Sequence, residues 1–380
     1  MAAPSAQSSG QTPLMDLNEP AGHISAAMVT SQTISADEVA LYDRQIRLWG
    51  MEAQARMRNA KVLIISMRAL ANEVAKNLVL AGIGSLTVMD PEVVEADDFG
   101  AQFFISEEHI GMNRAEAAAP AIQRLNPRVP VHIDTGRPED KPSQFYQQFD
   151  LVIPTDLGLD VLLNINAATR EAGRPFYAAS TYGLYGFIFA DLLKHEFVVK
   201  RVKSNRATEL KSESRTRKVT GARETKEGDT IWEFVTKEEV YVPLSSALSS
   251  QIDKTWRPRK RKAVPAVLPG VLALLKFEQS TKHWPDIDNK EDVAGFTSLI
   301  TEVNEELGLP DGHISSEFIR SFLSNASAEL SPVAAVLGGI LAQDAINVLA
   351  KMEQPVQNIL VFDGAISAAP ILVLALQDDA

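Results

Sequence analysis

Three short apolar runs constrain this chain more than any other feature. Lys61-Val-Leu-Ile-Ile-Ser66, Leu86-Thr-Val-Met-Asp90 and Phe149-Asp-Leu-Val-Ile-Pro154 each have the length and continuity of a parallel strand buried on both faces. Between the first two, Val74, Ala75, Leu78 and Ala81 recur on one face of a helix, which Gly82 and Gly84 end. A second helix is predicted around Arg114 to Leu125. Strand and helix alternate, so the expected fold is α/β, with a doubly wound sheet. Asp90 closes a strand about twenty residues after the first turn, where nucleotide-binding folds keep an acid for the ribose. A turn-starting aspartate would read the same way.

The remaining segments divide by composition. Residues 1–34 are rich in Ala, Ser, Gln, Thr, Gly and Pro, lack the apolar pattern of a core and are read as a flexible tail. Residues 35–199 carry the alternating pattern, and 200–229 turn to Lys, Arg, Ser, Thr and Glu, the signature of a mobile charged loop. Residues 230–325 read as mainly helical, with a strongly apolar stretch at Val271 to Phe277. From 326 to 380 the chain closes with a long apolar helix over Pro332 to Leu349 and strands at Asn358 to Asp363 and Ile371 to Leu376. This closing unit is expected to rejoin the first sheet, making the middle an insertion.

Composition narrows function by exclusion. A net charge of −12 argues against broad nucleic-acid binding, which needs a clustered cationic surface. No unbroken run of eighteen or more apolar residues predicts a membrane-spanning helix. Residues 1–43 hold no Lys or Arg, unlike secretory or mitochondrial leaders, so the expected compartment is cytosol or nucleus. With no cysteine in its 380 residues, the chain offers no disulfide, thiolate metal site or thiol nucleophile.

One stretch carries a candidate chemical group. Ser35-Ala-Asp-Glu38 is a capping box, and Tyr42, Ile46 and Trp49 then recur at i, i+4 and i+7 until Gly50. That pattern turns Arg44 and Arg47 away from the apolar stripe. On periodicity alone, Arg44 equally suits a solvated arginine beside an Asp43–Arg47 pair.

Together, Leu41-Tyr-Asp-Arg-Gln-Ile-Arg-Leu-Trp-Gly50, Ala75-Lys-Asn-Leu-Val-Leu-Ala-Gly82, Lys194-His-Glu-Phe197 and Gly338-Gly-Ile-Leu-Ala-Gln343 resemble the smaller subunits of SUMO-activating enzymes. These belong to the ubiquitin-activating enzyme family, with bacterial relatives MoeB and ThiF, and share a Rossmann-like adenylation fold. The resemblance covers most of residues 37–380. It implies an accessory subunit of an ATP-dependent SUMO-activating enzyme, inactive alone, in an obligate heterodimer with a larger cysteine-bearing subunit. The partner would bind ATP and Mg2+ and form the thioester. SUMO and, indirectly, the SUMO-conjugating enzyme are the other implied partners.

Residue by residue, the resemblance implies loss. The four glycine positions of the family's phosphate turn, G-x-G-G-x-G, fall on Ser66, Arg68, Ala69 and Ala71. Each added Cβ occupies space that the phosphates need. In Asp97-Asp-Phe-Gly-Ala-Gln-Phe103, Gly100 and Ala101 replace the nucleotide-gripping Asn and Arg, and two acids are added that would repel triphosphate. The family lysine is matched by Arg114, and Leu157 stands at the magnesium-binding aspartate, one residue after Asp156. None of Asp90, Arg114 or Asp156 is therefore assigned to nucleotide, and no cofactor or metal ligand is assigned to this chain. What survives is Arg44, which the resemblance makes an arginine finger acting in trans on the partner's ATP, while residues 230–325 stand as a reduced counterpart of a catalytic cysteine domain. The basic run Arg257-Pro-Arg-Lys-Arg-Lys262 fits nuclear import, and equally a solvated surface or partner contact. Three other functions are weighed: accessory subunit for a different ubiquitin-like modifier, a pure scaffold with no catalytic contribution, and an NAD-dependent oxidoreductase on the same topology, which would need the missing glycine turn.

Overall fold

The computed structural model describes residues 35–375. The tail expected over residues 1–34 lies outside these, as does Leu376. Helix α1 (Ala36–Leu41) starts at a formed capping box: the Glu38 amide donates to Ser35 Oγ at 3.2 Å and the Ser35 amide to Glu38 Oε2 at 3.0 Å. The helix expected to run on to Trp49 is instead interrupted at Tyr42 and restarts as α2 (Asp43–Trp49). After Gly50, at φ 89°, α3 (Met51–Asn59) follows. Long-range packing of Tyr42 accounts for the break. Its ring lies where a Cβ on Gly82 would fall, 2.5 Å away, and its hydroxyl accepts from Asn126 Nδ2 at 2.8 Å.

The central sheet is built as the alternation predicts. Strand β1 (Lys61–Ile65) leads through α4 (Ala69–Ala81) to a parallel β2 (Ser85–Met89), and α5 (Arg114–Leu125) leads to a parallel β3 (Val131–Asp134). After α6 (Ser143–Tyr146), the chain crosses to the other side of β1 as β4 (Leu151–Pro154). Helix α7 (Leu159–Glu171) and a parallel β5 (Phe176–Tyr182) follow, and β6 (Tyr185–Asp191) then pairs antiparallel to β5.

Of the segment expected to be a mobile loop, residues 200–202 and 217–227 are strand and 203–216 are loop. Strands β7 (Lys194–Val202), β8 (Arg217–Glu227) and β9 (Thr230–Val240) form a separate antiparallel sheet in the order β7-β9-β8. Its composition looks disordered because charge pairs between elements replace much of the apolar packing. Arg201 Nε meets Glu233 at 2.8 Å, Lys218 meets Glu238 at 3.0 Å, and the Arg223 guanidinium sits 4.5 Å from the Phe234 ring centre. Such cross-strand pairs contribute roughly 0.2–1 kcal/mol each. The region from 230 onward is accordingly helical only after β9.

Helices α8 (Leu244–Leu248), α9 (Pro258–Lys262), α10 (Val267–Thr281), α11 (Lys290–Glu306) and α12 (Ser316–Asn325) precede the long α13 (Ser331–Ala350). Strands β10 (Ile359–Asp363) and β11 (Ile371–Leu372) then close the first sheet in the order β11-β10-β6-β5-β4-β1-β2-β3. The last strand is shorter than expected. One face of the sheet packs Leu70, Val74 and Leu78 of α4 with Leu337 and Leu341 of α13, and the other packs α7 and the apolar run of α10. Helix α13 is long and apolar enough to cross a membrane by length and composition, yet Val333, Leu337, Leu341 and Ala345 lie in this core. Inside it, Asp344 accepts from the Tyr177 hydroxyl and the Val356 amide, tying α13 to β5 and to the approach to β10.

Adjacent glycines in α13 provide a test of that packing. A Cβ on Gly338 would fall 2.5 Å from Glu73 Cβ and 3.3 Å from the Leu70 carbonyl oxygen, both on α4, whereas one on Gly339 meets nothing within 4 Å. Gly338→Ala should lower unfolding stability by about 1–3 kcal/mol, as overpacking does. Gly339→Ala should raise it by about 0.5–1 kcal/mol, because alanine loses less backbone entropy in a helix. Denaturant midpoints moving in opposite directions are the expected result.

Candidate functional site

A cleft of about 270 Å³ opens at the carboxyl ends of β1, β2 and β4, where a doubly wound sheet accepts its ligand. Ser66, Arg68, Asp90, Arg114 and Asp156 all line it. At its floor, Ser66 adopts φ 68°, a left-handed conformation that favours glycine, so the backbone keeps the glycine geometry without the glycine. Arg68 precedes α4 in extended conformation, with Nε 3.0 Å from Glu329. Ala69 and Ala71 are buried within α4, and Ala69 packs with Ala101 and Ala334. Two positions expected to face phosphate, 69 and 71, are thus core, and Ala101 closes over the first of them.

Arg114 organises the wall. Asn113 caps α5 by accepting from the Ala115 and Glu116 amides, and this holds Arg114 in the first turn, directed at two carboxylates. Arg114 Nη1 donates to Asp90 Oδ2 at 3.0 Å and Nε to Asp98 Oδ2 at 3.3 Å. The three side chains are 8%, 1% and 4% exposed, so the charges meet out of water. Burial opposes the Arg114 cation, but Asp90 and Asp98 more than offset it, and the guanidinium holds its proton more tightly than usual. Asp90 also accepts from the Met67 amide at 2.7 Å and the Glu92 amide at 2.9 Å. The acid expected at the ribose position is therefore engaged internally. Asp98, expected to repel phosphate, is neutralised by Arg114 and takes a further bond from Gln102 at 2.6 Å; only Asp97 of that pair is exposed.

Asp156 lies across the cleft at φ 51°, accepting from the Thr181 amide at 3.0 Å. Burial of its carboxyl, with the nearby charge of Glu329, pushes its pKa up to about 7 against the opposing effects of the Thr181 amide and Arg68.

Arg44 has a different setting. On α2, Arg47 Nε pairs with Asp43 at 2.9 Å, while Arg44 is exposed and takes no ion pair or hydrogen bond among the described residues. The helix thus separates an occupied arginine from a free one. Glu329, Ser180 and Tyr182 carried no sequence signal, because only the return of α13 and the end of β5 bring them beside Asp156. A histidine–carboxylate pair that the sequence did not reveal lies elsewhere: His283 Nε2 is 3.2 Å from Asp292, whose hydrogen bond raises the imidazole pKa. In the basic run, Arg257, Arg259, Lys260 and Lys262 are exposed, whereas Arg261 donates to the Gly308 carbonyl.

The model of the ThiF family matches residues 42–375. The chain belongs to the ThiF family. This ThiF-family chain is similar to the DNA damage tolerance protein RHC31 of Saccharomyces cerevisiae, at 37% identity over 346 residues covering 90% of this chain and 98% of that protein. It is 36% identical over 344 residues to the DNA damage tolerance protein rad31 of Schizosaccharomyces pombe, covering 90% and 98%. The SUMO-activating enzyme subunit 1 of Homo sapiens is 36% identical over 339 residues, covering 87% and 93%.

Removing Arg114 should expose the cost of its carboxylates. Arg114→Met should lose about 3–5 kcal/mol in urea unfolding, as expected when one partner of a buried ion pair is deleted. Arg114→Lys, which retains the charge but not the two-armed contact, should lose less. For Asp156 the sign is opposite to that of a salt-bridged acid: the folded state holds its proton to about pH 7, the unfolded chain only to about 4. Its contribution is complete below the unfolded value and drains away as pH rises through about 7. Asp156→Asn should therefore gain stability relative to the unsubstituted chain at pH 8, and lose that advantage near pH 4, in matched urea titrations.

Proposed function

We propose that this chain is the smaller, non-thioester-forming subunit of a heterodimeric SUMO-activating enzyme, lending its partner a single cation. The subunit identity rests on the relatives named above and on similarity along nearly their whole length. The division of labour rests on one observation: in the wall of the cleft that would hold nucleotide, Arg114 is engaged by Asp90 and Asp98, while Arg44 stands exposed and unpaired among the described residues.

The residues present do not fit a nucleotide. Asp90 is engaged by Arg114, positions 69 and 71 are packed into the core, and Arg68 faces Glu329. ATP and Mg2+ accordingly belong to the larger subunit. That subunit also supplies the cysteine, since this chain has none. Arg44 acts across the interface as a fixed fork of donors, stabilising the negative charge that builds on departing pyrophosphate when the SUMO carboxylate attacks the α-phosphate. We further propose that the heterodimer works in the nucleus, with the exposed residues of the run 257–262 available to an import receptor. The oxidoreductase reading is not favoured, because the dinucleotide turn is absent and the ribose acid is engaged. Neither is a different modifier, because the relatives of Rattus norvegicus and Homo sapiens are named for SUMO.

The test is Arg44→Ala in the co-purified heterodimer. The subunits should elute together as before, while SUMO-dependent ATP–pyrophosphate exchange falls by roughly 10³ to 10⁵, the range known for arginine fingers. Unchanged exchange would reduce the chain to a scaffold.

A further inference from the structure

Behind Asp156, a second cavity of about 260 Å³ opens where β5 ends and the chain returns toward α13. Asp156, Ser180, Thr181, Tyr182, Trp284 and Glu329 are in its lining. Asp156 Oδ2 and Thr181 Oγ1 in that lining are buried without a hydrogen-bond partner among the described residues, Ser180 Oγ and Tyr182 OH lie beside each other, and Glu329 Oε1 faces Arg68 Nε at 3.0 Å. Ser180, Thr181 and Tyr182 are only 1%, 6% and 2% exposed, so their hydroxyls are enclosed rather than solvated. A buried polar atom left unpaired costs about 1–3 kcal/mol, and such atoms rarely cluster without a group to meet them.

The chemistry of that group follows from the lining. The Asp156 carboxylate only accepts and each hydroxyl can accept as well as donate, so a donor is the complement they share. The two carboxylates, with Glu278 also near Tyr182, outnumber the one guanidinium, Arg68, that faces Glu329. A cation is therefore favoured. Trp284 and Tyr182 meet with ring centres 5.7 Å apart at 51°, giving an aromatic wall that attracts organic cations through their π faces. A hard metal ion would leave this wall unused, and the cavity is far larger than a bare ion.

We propose that this cavity binds a primary alkylammonium group of the lysine side-chain kind, donating to Asp156 and the strand hydroxyls with its carbon arm along Trp284. Trp284 is the reporter. In the full-length chain at pH 8, the emission that Trp284→Phe removes should change saturably with n-butylammonium or with lysine blocked at both ends. The tighter of the two would distinguish a free amine from a side chain presented by a polypeptide. Asp156→Asn and Glu329→Gln, each with unaltered circular dichroism, should weaken binding by about tenfold or more, the scale of a lost charge-assisted bond. An equal response to n-butanol, a response to Mg2+ alone, no saturable response, or undiminished affinity in both variants would overturn the proposal.

Discussion

The buried pairing of Arg114 with Asp90 and Asp98 is the interaction around which the rest of this cleft is arranged. Three charges meet where water hardly reaches, and each carboxylate is further held by backbone amides or a side-chain amide. Such a network gains little net stability over apolar packing, because desolvation consumes most of the attraction. Its effect is specific instead: it fixes the end of β2, the start of α5 and the short helical turn at Asp98 in one register. The cleft's Arg114 is thereby engaged by its own carboxylates.

Ala69 and Ala71 lie in the core, and Ala101 and Ala334 close over the first of them. Ser66 retains the left-handed backbone inherited from the glycine turn. The position bends as a glycine would, although a side chain stands there. Arg44 is the complementary case, a charged group without a partner among the described residues while its neighbour Arg47 pairs with Asp43.

Much of this was legible in the chain of residues because it rests on local pattern. Continuous apolar runs gave β1, β2 and β4, and a one-faced stripe gave α4. Substitutions at 66, 68, 69 and 71 were visible as missing glycines. What escaped were features made by distant residues. Tyr42 breaks its helix because Gly82 and Asn126 hold it, and β8 exists because its charges find partners on neighbouring strands rather than because it is apolar. The roles of Asp98 and Asp156 depend on which side chain returns beside them, Arg114 in one case and Glu329 in the other. Counting acids in a motif gives the sign of a field but not whether it is cancelled.

The antiparallel joining of β10 to β6 has a consequence for how the molecule is made. Strand β6 ends at Asp191, and its neighbour begins only at Ile359. At about 5–20 residues per second, synthesis leaves the β6 edge unpaired for some ten to thirty seconds. An exposed edge of that kind is a template for wrong pairing between nascent chains. The β6 edge has no native strand to pair with until Ile359–Asp363 clears the ribosome.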